Sequence, residues 1–507
     1  MTELSKTPGK VYLVGAGPGD PGLITLKGVE CLRRADLVLF DYLVCRELLD
    51  HAPIAAEKIG LGHHHTGREY SQAEINAHMI EAAKQGKTVV RLKGGDPMVF
   101  GRAAEETSAL AAAGIAYEIV PGVTAAIAAA AYAEIPITSG QRASAVAFIT
   151  GHERVDKQDS ALDYAALADF PGTLVFYMGV HSAERWSQAL LARGKPPQTP
   201  VAIVRRSSWP DQEVVRCTLQ DVASIIDSKN IRPPVLVVVG EVVELMPDAN
   251  WFSSRQLYGK TVLVTRPHES RAISEDLTEK LRAWGAEVLF QPAIAITDPP
   301  DWKSLDDAIA RLHVFDWLVF SSSNGVRYFF ERLFFRGHDA SYLGGVKIAA
   351  IGPATAWALG QHPLQVYLLP KEFRAESLAD ALVEEAAGQR FLLIRASRGR
   401  EVLAEQLTAA RAKVEQVVAY TSSDVDQADE AIAARLAAGT IDWITVSSSS
   451  IARSLVKLFG ENLHRAKLAS ISPVTSATLR ELGFEPAAEA EVFTAAGLAE
   501  AILRSQS

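Results

Sequence analysis

The 507-residue sequence predicts an α/β protein of about three to four compact units. Two observations carry this. Strand-like apolar runs alternate with amphipathic stretches along the chain, as expected for strands packed against helices. The second half also repeats itself, which predicts two similar α/β lobes with a cleft between them. A third observation sets the first half apart. Two glycine-rich runs, Val14-Gly15-Ala16-Gly17-Pro18-Gly19-Asp20 and Val90-Arg91-Leu92-Lys93-Gly94-Gly95-Asp96-Pro97, each follow a strand-like stretch.

The expected strands of the first half are Val11–Val14, Leu37–Phe40, Thr88–Leu92, Val146–Thr150, Thr173–Tyr177, Pro200–Val204 and Val235–Val239. Each is short and apolar. Gln72–Gln85 and Arg102–Ala113 have the mixed apolar and polar spacing of surface helices. Pro, Asp, Asn and paired serines interrupt the pattern over Leu245–Lys260, which places the main boundary near residue 255. Thr261–Thr265 then opens a fresh strand. Further on, Asp316-Trp317-Leu318-Val319-Phe320-Ser321-Ser322-Ser323 returns as Asp442-Trp443-Ile444-Thr445-Val446-Ser447-Ser448-Ser449, with Arg327 and Arg453 following. Lys347–Thr355 is echoed by Lys467–Thr475. Two copies make two lobes, whereas a solenoid needs at least three.

Composition narrows the function. Hydrophobic content of 48% and charged content of 22% describe an ordinary globular protein. A net charge of −9 argues against a nucleic-acid partner, so an anionic ligand must be met by local Arg and Lys. Cys31, Cys45 and Cys217 lie far apart, which disfavours a disulfide frame or structural zinc and makes a reducing cytoplasm the expectation. The start of the chain has no apolar signal core, no stretch is long enough for a membrane span, and Ala125–Ala131 reads as a buried helix.

The glycine runs let backbone approach a small ligand closely and place a carboxylate where it could meet a positive one. The first reads G-x-G-P-G rather than G-x-G-x-x-G, and Pro18 removes an N–H that a pyrophosphate would want. A ligand with a positive centre and no phosphates fits better. S-adenosylmethionine, with its sulfonium, is such a ligand.

With these runs, Leu23–Lys27, Asp41-Tyr42-Leu43-Val44, Gln72–Asn76, Val90–Glu106, Val120–Ala125, Ile135–Thr138, Phe148–Glu153, Leu174–Val180 and Val235–Val243 complete an ordered set of motifs. Through them residues 9–247 resemble uroporphyrinogen-III C-methyltransferase, of the tetrapyrrole methylase family. The resemblance implies a donor site for S-adenosylmethionine at Pro18, Gly94, Gly95, Asp96, Val99, Thr124, Ala125 and Met178. It makes Asp41 the base that takes the proton after methylation, a helix-capping or turn role being the alternative. It also gives Arg102 and Glu105 a part in substrate binding and catalysis; at i and i+3 they could equally form a surface ion pair. The implied substrate carries eight carboxylates, so Lys93 and Arg91 are further candidate anchors. Two departures stand out. Relatives read Gly-Lys-Arg where this chain has Gly60-Leu61-Gly62-His63-His64-His65, so the family's proton-donor lysine is missing. His63 stands nearest, the alternative being a solvated histidine-rich loop. Three adjacent histidines converge poorly on one ion, and no metal is expected. Relatives also carry His-Arg where Ser139-Gly140 stands here, with Arg142 the nearest replacement.

Residues 258–505 resemble uroporphyrinogen-III synthase through Val264–Pro267, Gly285–Val288, Phe320–Val326, Ile351–Ala356, Val417–Tyr420 and Val446–Ser450. The Ser-rich loops Ser321–Gly325 and Ser447–Ser450 should each open a helix, a place that favours carboxylates, so Ser322, Asn324, Thr355, Ser448 and Thr475 are candidate substrate contacts. Helix capping is compatible with that role. The family implies Tyr420 as proton donor to a departing hydroxyl. Together the resemblances imply a two-subdomain tetrapyrrole methylase fold followed by a two-lobed α/β (Rossmann/flavodoxin-like) synthase domain. They imply an enzyme that cyclises hydroxymethylbilane to uroporphyrinogen III and methylates it, through precorrin-1, to precorrin-2. Tetrapyrroles are the implied partners, with no nucleic acid or membrane and a homodimer formed through the methylase. The alternative is a methylase of another tetrapyrrole joined to a non-catalytic tetrapyrrole-binding module.

Overall fold

The structure, a computed structural model, describes residues 9–62, 70–152, 162–265, 271–362, 364–399 and 401–506. The chain forms two compact units, Met1–Gly259 and Lys260–Ser507. Among the described residues each holds two five-stranded sheets.

In the first unit, β1 (Lys10–Gly15), β2 (Leu37–Phe40), β3 (Glu57–Gly60), β4 (Val89–Lys93) and β5 (Ala116–Val120) form a parallel sheet in the order β3-β2-β4-β1-β5. Helices cover both faces, so every residue of β2 and β4 is buried, as in most parallel sheets. From the central neighbours β1 and β4 the chain leaves toward opposite edges, and a crevice at their carboxyl ends is the favoured ligand position in such sheets. The second sheet runs β6 (Val146–Thr150), β7 (Thr173–Tyr177), β8 (Pro200–Arg205), β9 (Glu213–Thr218) and β10 (Val235–Val239), in the order β6-β7-β10-β8-β9. Only β6 and β7 pair in parallel there. Helix Ala125–Tyr132 joins the two layers. Its small side chains let Ala126 and Ala129 pack closely on Val175, Val204 and Val238 of the second sheet.

The interruption at 245–260 is not a free linker. Phe252 and Leu257 are fully buried, and Phe252 packs edge-on against Tyr132 and Tyr258. The segment therefore belongs to the first unit, anchored by aromatic burial that outweighs its turn-forming composition.

In the second unit, β11 (Thr261–Val264), β12 (Glu287–Phe290), β13 (Ile294–Thr297), β14 (Trp317–Phe320), β15 (Lys347–Ala350), β16 (Arg390–Ala396), β17 (Lys413–Asp424), β18 (Trp443–Val446), β19 (Lys467–Ser470) and β20 (Ala488–Glu489) form two lobes. One sheet runs β12-β11-β18-β19-β20, the 2-1-3-4-5 order of flavodoxin-like folds. The other runs β13-β17-β16-β14-β15, which is the same order circularly permuted so that β16 stands first, with β13 added antiparallel at the edge. The internal repeat makes equivalent contacts. Asp316 accepts from the Arg390 N–H that opens β16, and Asp442 accepts from the Thr261 N–H that opens β11. Lys347 and Lys467 lie over the rings of Trp317 and Trp443.

The lobe of 294–424 is inserted into the other and joined to it by two passes of chain. At the junction the Val425 N–H donates to the Ala293 carbonyl at 3.1 Å. Asp424, ending β17, accepts from Lys457 Nζ, Ser454 Oγ and Arg398 Nη1, each at 2.6 Å. Lys457 and Ser454 belong to one lobe and Arg398 to the other, so one carboxylate ties the lobes together. Those donors hold its pKa well below the usual carboxylate range, Lys457 foremost, then Ser454 and Arg398. A carboxylate depressed in the folded state adds stability above its unfolded pKa, about 3.9, and loses it as pH falls further. Asp424→Asn is expected to cost about 1 kcal/mol near neutral pH, a figure discounted because both cations face solvent. The difference from wild type should be smaller at about pH 2 than near neutral pH, because protons begin to compete for the native carboxylate only below the unfolded pKa and displace its partners progressively from there. Urea unfolding at both pH values measures it, and an equal deficit at both would reject the assignment.

Candidate functional site

The first unit contains a cleft of about 850 Å³, within the range that small-molecule ligands fill. Pro18, Gly94, Gly95, Asp96, Val99, Thr124, Ala125, Met178, Asp41 and Arg102 all line it. Its floor is made where the loops after β1 and β4 meet. Gly17 and Gly95 exchange backbone hydrogen bonds, both with positive φ, +76° and +68°. Gly122 lies so close that a Cβ there would stand 2.4 Å from the Gly95 carbonyl oxygen. Positive φ favours glycine at Gly17 and Gly95, and at Gly122 a side chain would push the loops apart.

The acids of the two glycine runs act differently from the expectation. Asp20 accepts from the Tyr132 hydroxyl at 2.7 Å and the Gly22 N–H at 2.8 Å. Asp96 accepts from the Met98 N–H at 2.7 Å and the Gly122 N–H at 2.9 Å. Both carboxylates are thus engaged in shaping the loops rather than standing free for a positive ligand. Asp96 still lines the cleft. The Tyr177 hydroxyl meets Thr124 Oγ1 at 2.7 Å and the Ala126 N–H at 2.9 Å, satisfying the start of helix Ala125–Tyr132 in place of a cap by Thr124. Burial, chiefly, raises the Tyr177 pKa, so it stays protonated.

Arg91 and Lys93, candidate substrate anchors by sequence, are 3% and 4% exposed and paired inside the protein. Arg91 donates from Nη2 to Asp41 at 2.5 Å and from Nε to the wholly buried Glu106 at 3.0 Å. Lys93 Nζ reaches the Glu106 carboxylate at 3.0 Å. Two cations and two anions cancel, so this cluster offers a polyanion no net charge. Burial chiefly lowers the Lys93 pKa, and Arg91 lowers it further. The signal missed was Glu106, which stands on the helix Ala103–Ala112 and packs beneath β4 instead of facing water.

Asp41 sits at the end of β2, its N–H held by the Leu92 carbonyl. Arg102 has a left-handed backbone, φ +56°, and grips Glu105 through Nε and Nη2 at 2.9 and 2.7 Å. Both are exposed, so the ion-pair alternative is the arrangement observed, at the cleft rim for Arg102. Arg142 does not reach the cleft; it pairs with Glu244 in the turn after β10. The expected replacement of the family cation is therefore absent from this position. His63 lies outside the described residues. Sequence reasoning missed Arg206, Ser207, His152 and His181, which line the cleft from the second sheet's side. They sit in polar loops after strands, where composition carries no distinguishing signal. Among the described residues, Phe100, Arg102, Met178 and Arg206 are four of the eight non-glycine residues with positive φ, so backbone strain is concentrated at this cleft.

In the second unit, Ser322 and Tyr420 come together, Oγ to hydroxyl, at 3.0 Å. Tyr420 is 6% exposed and stacks on Tyr328, and burial raises its pKa, so it is a proton-bearing group. Ser322 and Ser448 occupy equivalent turns, capping helices Ser323–Phe335 and Ser449–Phe459 by accepting from Gly325 and Ile451 N–H groups at 2.9 and 3.2 Å. Asn324 lies in the first turn, partly exposed. Thr355 and Thr475 depart from the expected role: at 3% and 2% exposure they are packed beneath the first turns of their helices.

Comparison with known proteins places these features. Residues 10–223 match the Tetrapyrrole (Corrin/Porphyrin) Methylases, and residues 275–500 match Uroporphyrinogen-III synthase HemD. Porphyrin biosynthesis protein HemD of Ruminiclostridium josui is 35% identical over 449 residues, covering 88% of each chain. An S-adenosyl-L-methionine-dependent uroporphyrinogen III methyltransferase of Methanosarcina barkeri is 47% identical over 242 residues, 48% of this chain and 95% of that protein. A solved uroporphyrin-III C-methyl transferase of Thermus thermophilus, complexed with S-adenyl homocysteine, aligns at 38% identity with a TM-score of 0.41, covering 48% of this chain and 96% of that one. The chain belongs to the tetrapyrrole methylases through its first unit and to the uroporphyrinogen-III synthases through its second.

Proposed function

We propose that the chain is a bifunctional tetrapyrrole enzyme, with residues 258–505 cyclising hydroxymethylbilane to uroporphyrinogen III and residues 9–247 methylating it to precorrin-2. The supporting observation is that all eight candidate donor-site residues line one cleft with Asp41. The cleft fits S-adenosylmethionine in its chemistry: side-chain-free backbone at Gly94 and Gly95, and no N–H at Pro18 for a phosphate. When bound, this group supplies an electrophilic methyl on a sulfonium. Gly94, Gly95 and Thr124 offer backbone, while Met178 offers a polarisable contact. The protein's part is to hold the two reactants in attacking geometry and then remove a proton from the methylated carbon. Asp41 does the latter, oriented by Arg91.

In the second unit the buried hydroxyl of Tyr420 donates a proton to the departing hydroxyl, and Ser322 fixes its direction. Folding the substrate contributes most of the rate, so Tyr420→Phe is expected to lower synthase kcat by no more than about 10²-fold, the lower end for one general acid. Stopped-time assays of uroporphyrinogen III formation check this; complete loss in a folded variant would reject it. The family resemblance supports a homodimer through the first unit and residence in the cytoplasm. Among the described residues no helix is long and apolar enough to cross a membrane. One coupled assay tests the whole reading: hydroxymethylbilane and S-adenosylmethionine together should give a dimethylated macrocycle by mass. Synthetic uroporphyrinogen III should give the same product without the first step. An unmethylated macrocycle in both would overturn the methylase reading, and an unreacted bilane the synthase reading.

A further inference from the structure

The methylase cleft needs cations for a polycarboxylate, yet most of those near it are engaged. Arg91 and Lys93 are buried and neutralised, Arg102 is gripped at two points by Glu105, and Arg142 pairs elsewhere. Arg206 differs. It follows β8 in the left-handed region, φ +48°, and its N–H is fixed to the Pro234 carbonyl at 3.0 Å. Its guanidinium lies 4.4 Å from the Trp209 ring centroid, and only its Nε is engaged, with Asp211 at 2.7 Å. Asp211 also faces Arg205 at 3.8 Å, so two arginines share one carboxylate and leave one positive charge over. Nη1 and Nη2 of Arg206 have no partner among the described residues. Strained backbone that orients a cation with open donors at a cleft wall is a feature of binding sites.

We propose that Arg206 is a specificity-determining residue that binds a carboxylate of the macrocyclic substrate through its two Nη groups. This rests on the methylase reading. Trp209 is the platform: it stacks on the guanidinium and donates its indole N–H to the Pro18 carbonyl at 2.9 Å. The same ring therefore aligns the anchor with the donor loop. Fork-shaped donors held on an aromatic face suit a carboxylate, and they select the polycarboxylate over an uncharged macrocycle.

The test uses the full chain with Arg206→Met, which keeps the stem on Trp209 and removes the charge, and Arg206→Lys, which restores a charge without the fork. Steady-state kinetics with uroporphyrinogen III and calorimetric titration with S-adenosylhomocysteine separate the two ligands. Arg206→Met should raise KM for the macrocycle about 10-fold, the effect of one charge-assisted hydrogen bond pair, with kcat and S-adenosylhomocysteine affinity unchanged. Arg206→Lys should recover part of the loss. The rise of KM with salt should be shallower in Arg206→Met than in wild type. An unchanged KM, or an equal loss of S-adenosylhomocysteine affinity, would overturn the proposal; the latter would make Arg206 a support for the Pro18 loop. Wild type that leaves uroporphyrinogen III unmethylated would instead overturn the reading beneath it, and the proposal with it.

Discussion

Asp41→Asn is expected to lower kcat for methyl transfer by about 10²-fold or more, the contribution of one well-placed general base. Asp41 Oδ1 is held by Arg91 Nη2 at 2.5 Å, whereas Oδ2 has no partner among the described residues and the side chain is 32% exposed at the cleft wall. One oxygen is therefore fixed and the other available to a substrate proton. Asparagine keeps the shape and can still accept from Arg91, but it puts an NH₂ where the proton acceptor was. Affinity for S-adenosylhomocysteine should be unchanged, because the residues proposed for the donor lie on other loops. Single-turnover measurement at saturating substrate reads the chemical step directly. A kcat within threefold of wild type would assign Asp41 to structure alone.

Glu106→Ala carries the largest expected stability effect. Removing this carboxylate leaves Arg91 and Lys93 buried together without their shared counter-ion, a loss of about 3–5 kcal/mol from the first unit. The loss has a pH signature. Burial and Arg91 already lower the Lys93 pKa in the folded protein, and Glu106 opposes that shift. In the variant Lys93 releases its proton on folding more readily. A lysine whose folded pKa lies below its unfolded value destabilises the fold at low pH, and the penalty disappears as pH rises toward the unfolded value, about 10.4. The deficit of Glu106→Ala should therefore shrink between pH 7 and pH 9.5, as read by urea unfolding. A deficit that grows with pH would show that Lys93 is not the group left stranded.

The central strands were legible because burial on both faces demands unbroken apolar runs: Leu37–Phe40 and Val235–Val239 read as strands and are strands. The edges were not. Glu57–Gly60, Ala116–Val120 and Glu213–Thr218 are half-exposed edge strands whose polar residues give no such run. The duplication in the second half was visible as repeated Asp-Trp strands, but its permuted strand order was not, because permutation changes connectivity without changing local sequence. The cleft floor was readable because glycines report close backbone approach. The charges were misread in both directions. Arg91 and Lys93 stand in a strand beside the cleft, and nothing local reveals that Glu106 neutralises them from below. Arg206 stands in the loop after Pro200–Arg205, and neither its φ nor its stacking on Trp209 is encoded in composition.

The hydrogen bond between Val425 and Ala293 has a consequence for how the second unit assembles. In the outer lobe, β11 must find β18 across an intervening stretch that includes the whole inner lobe. Searching for a partner across so long a loop is slow, because closure entropy must be overcome before contacts form. Once residues 294–424 have collapsed on themselves, their two ends stand side by side and the stretch behaves as a short connector. Assembly is thus expected to be sequential, with the inner lobe gaining amide protection before the outer one in pulse-labelled refolding.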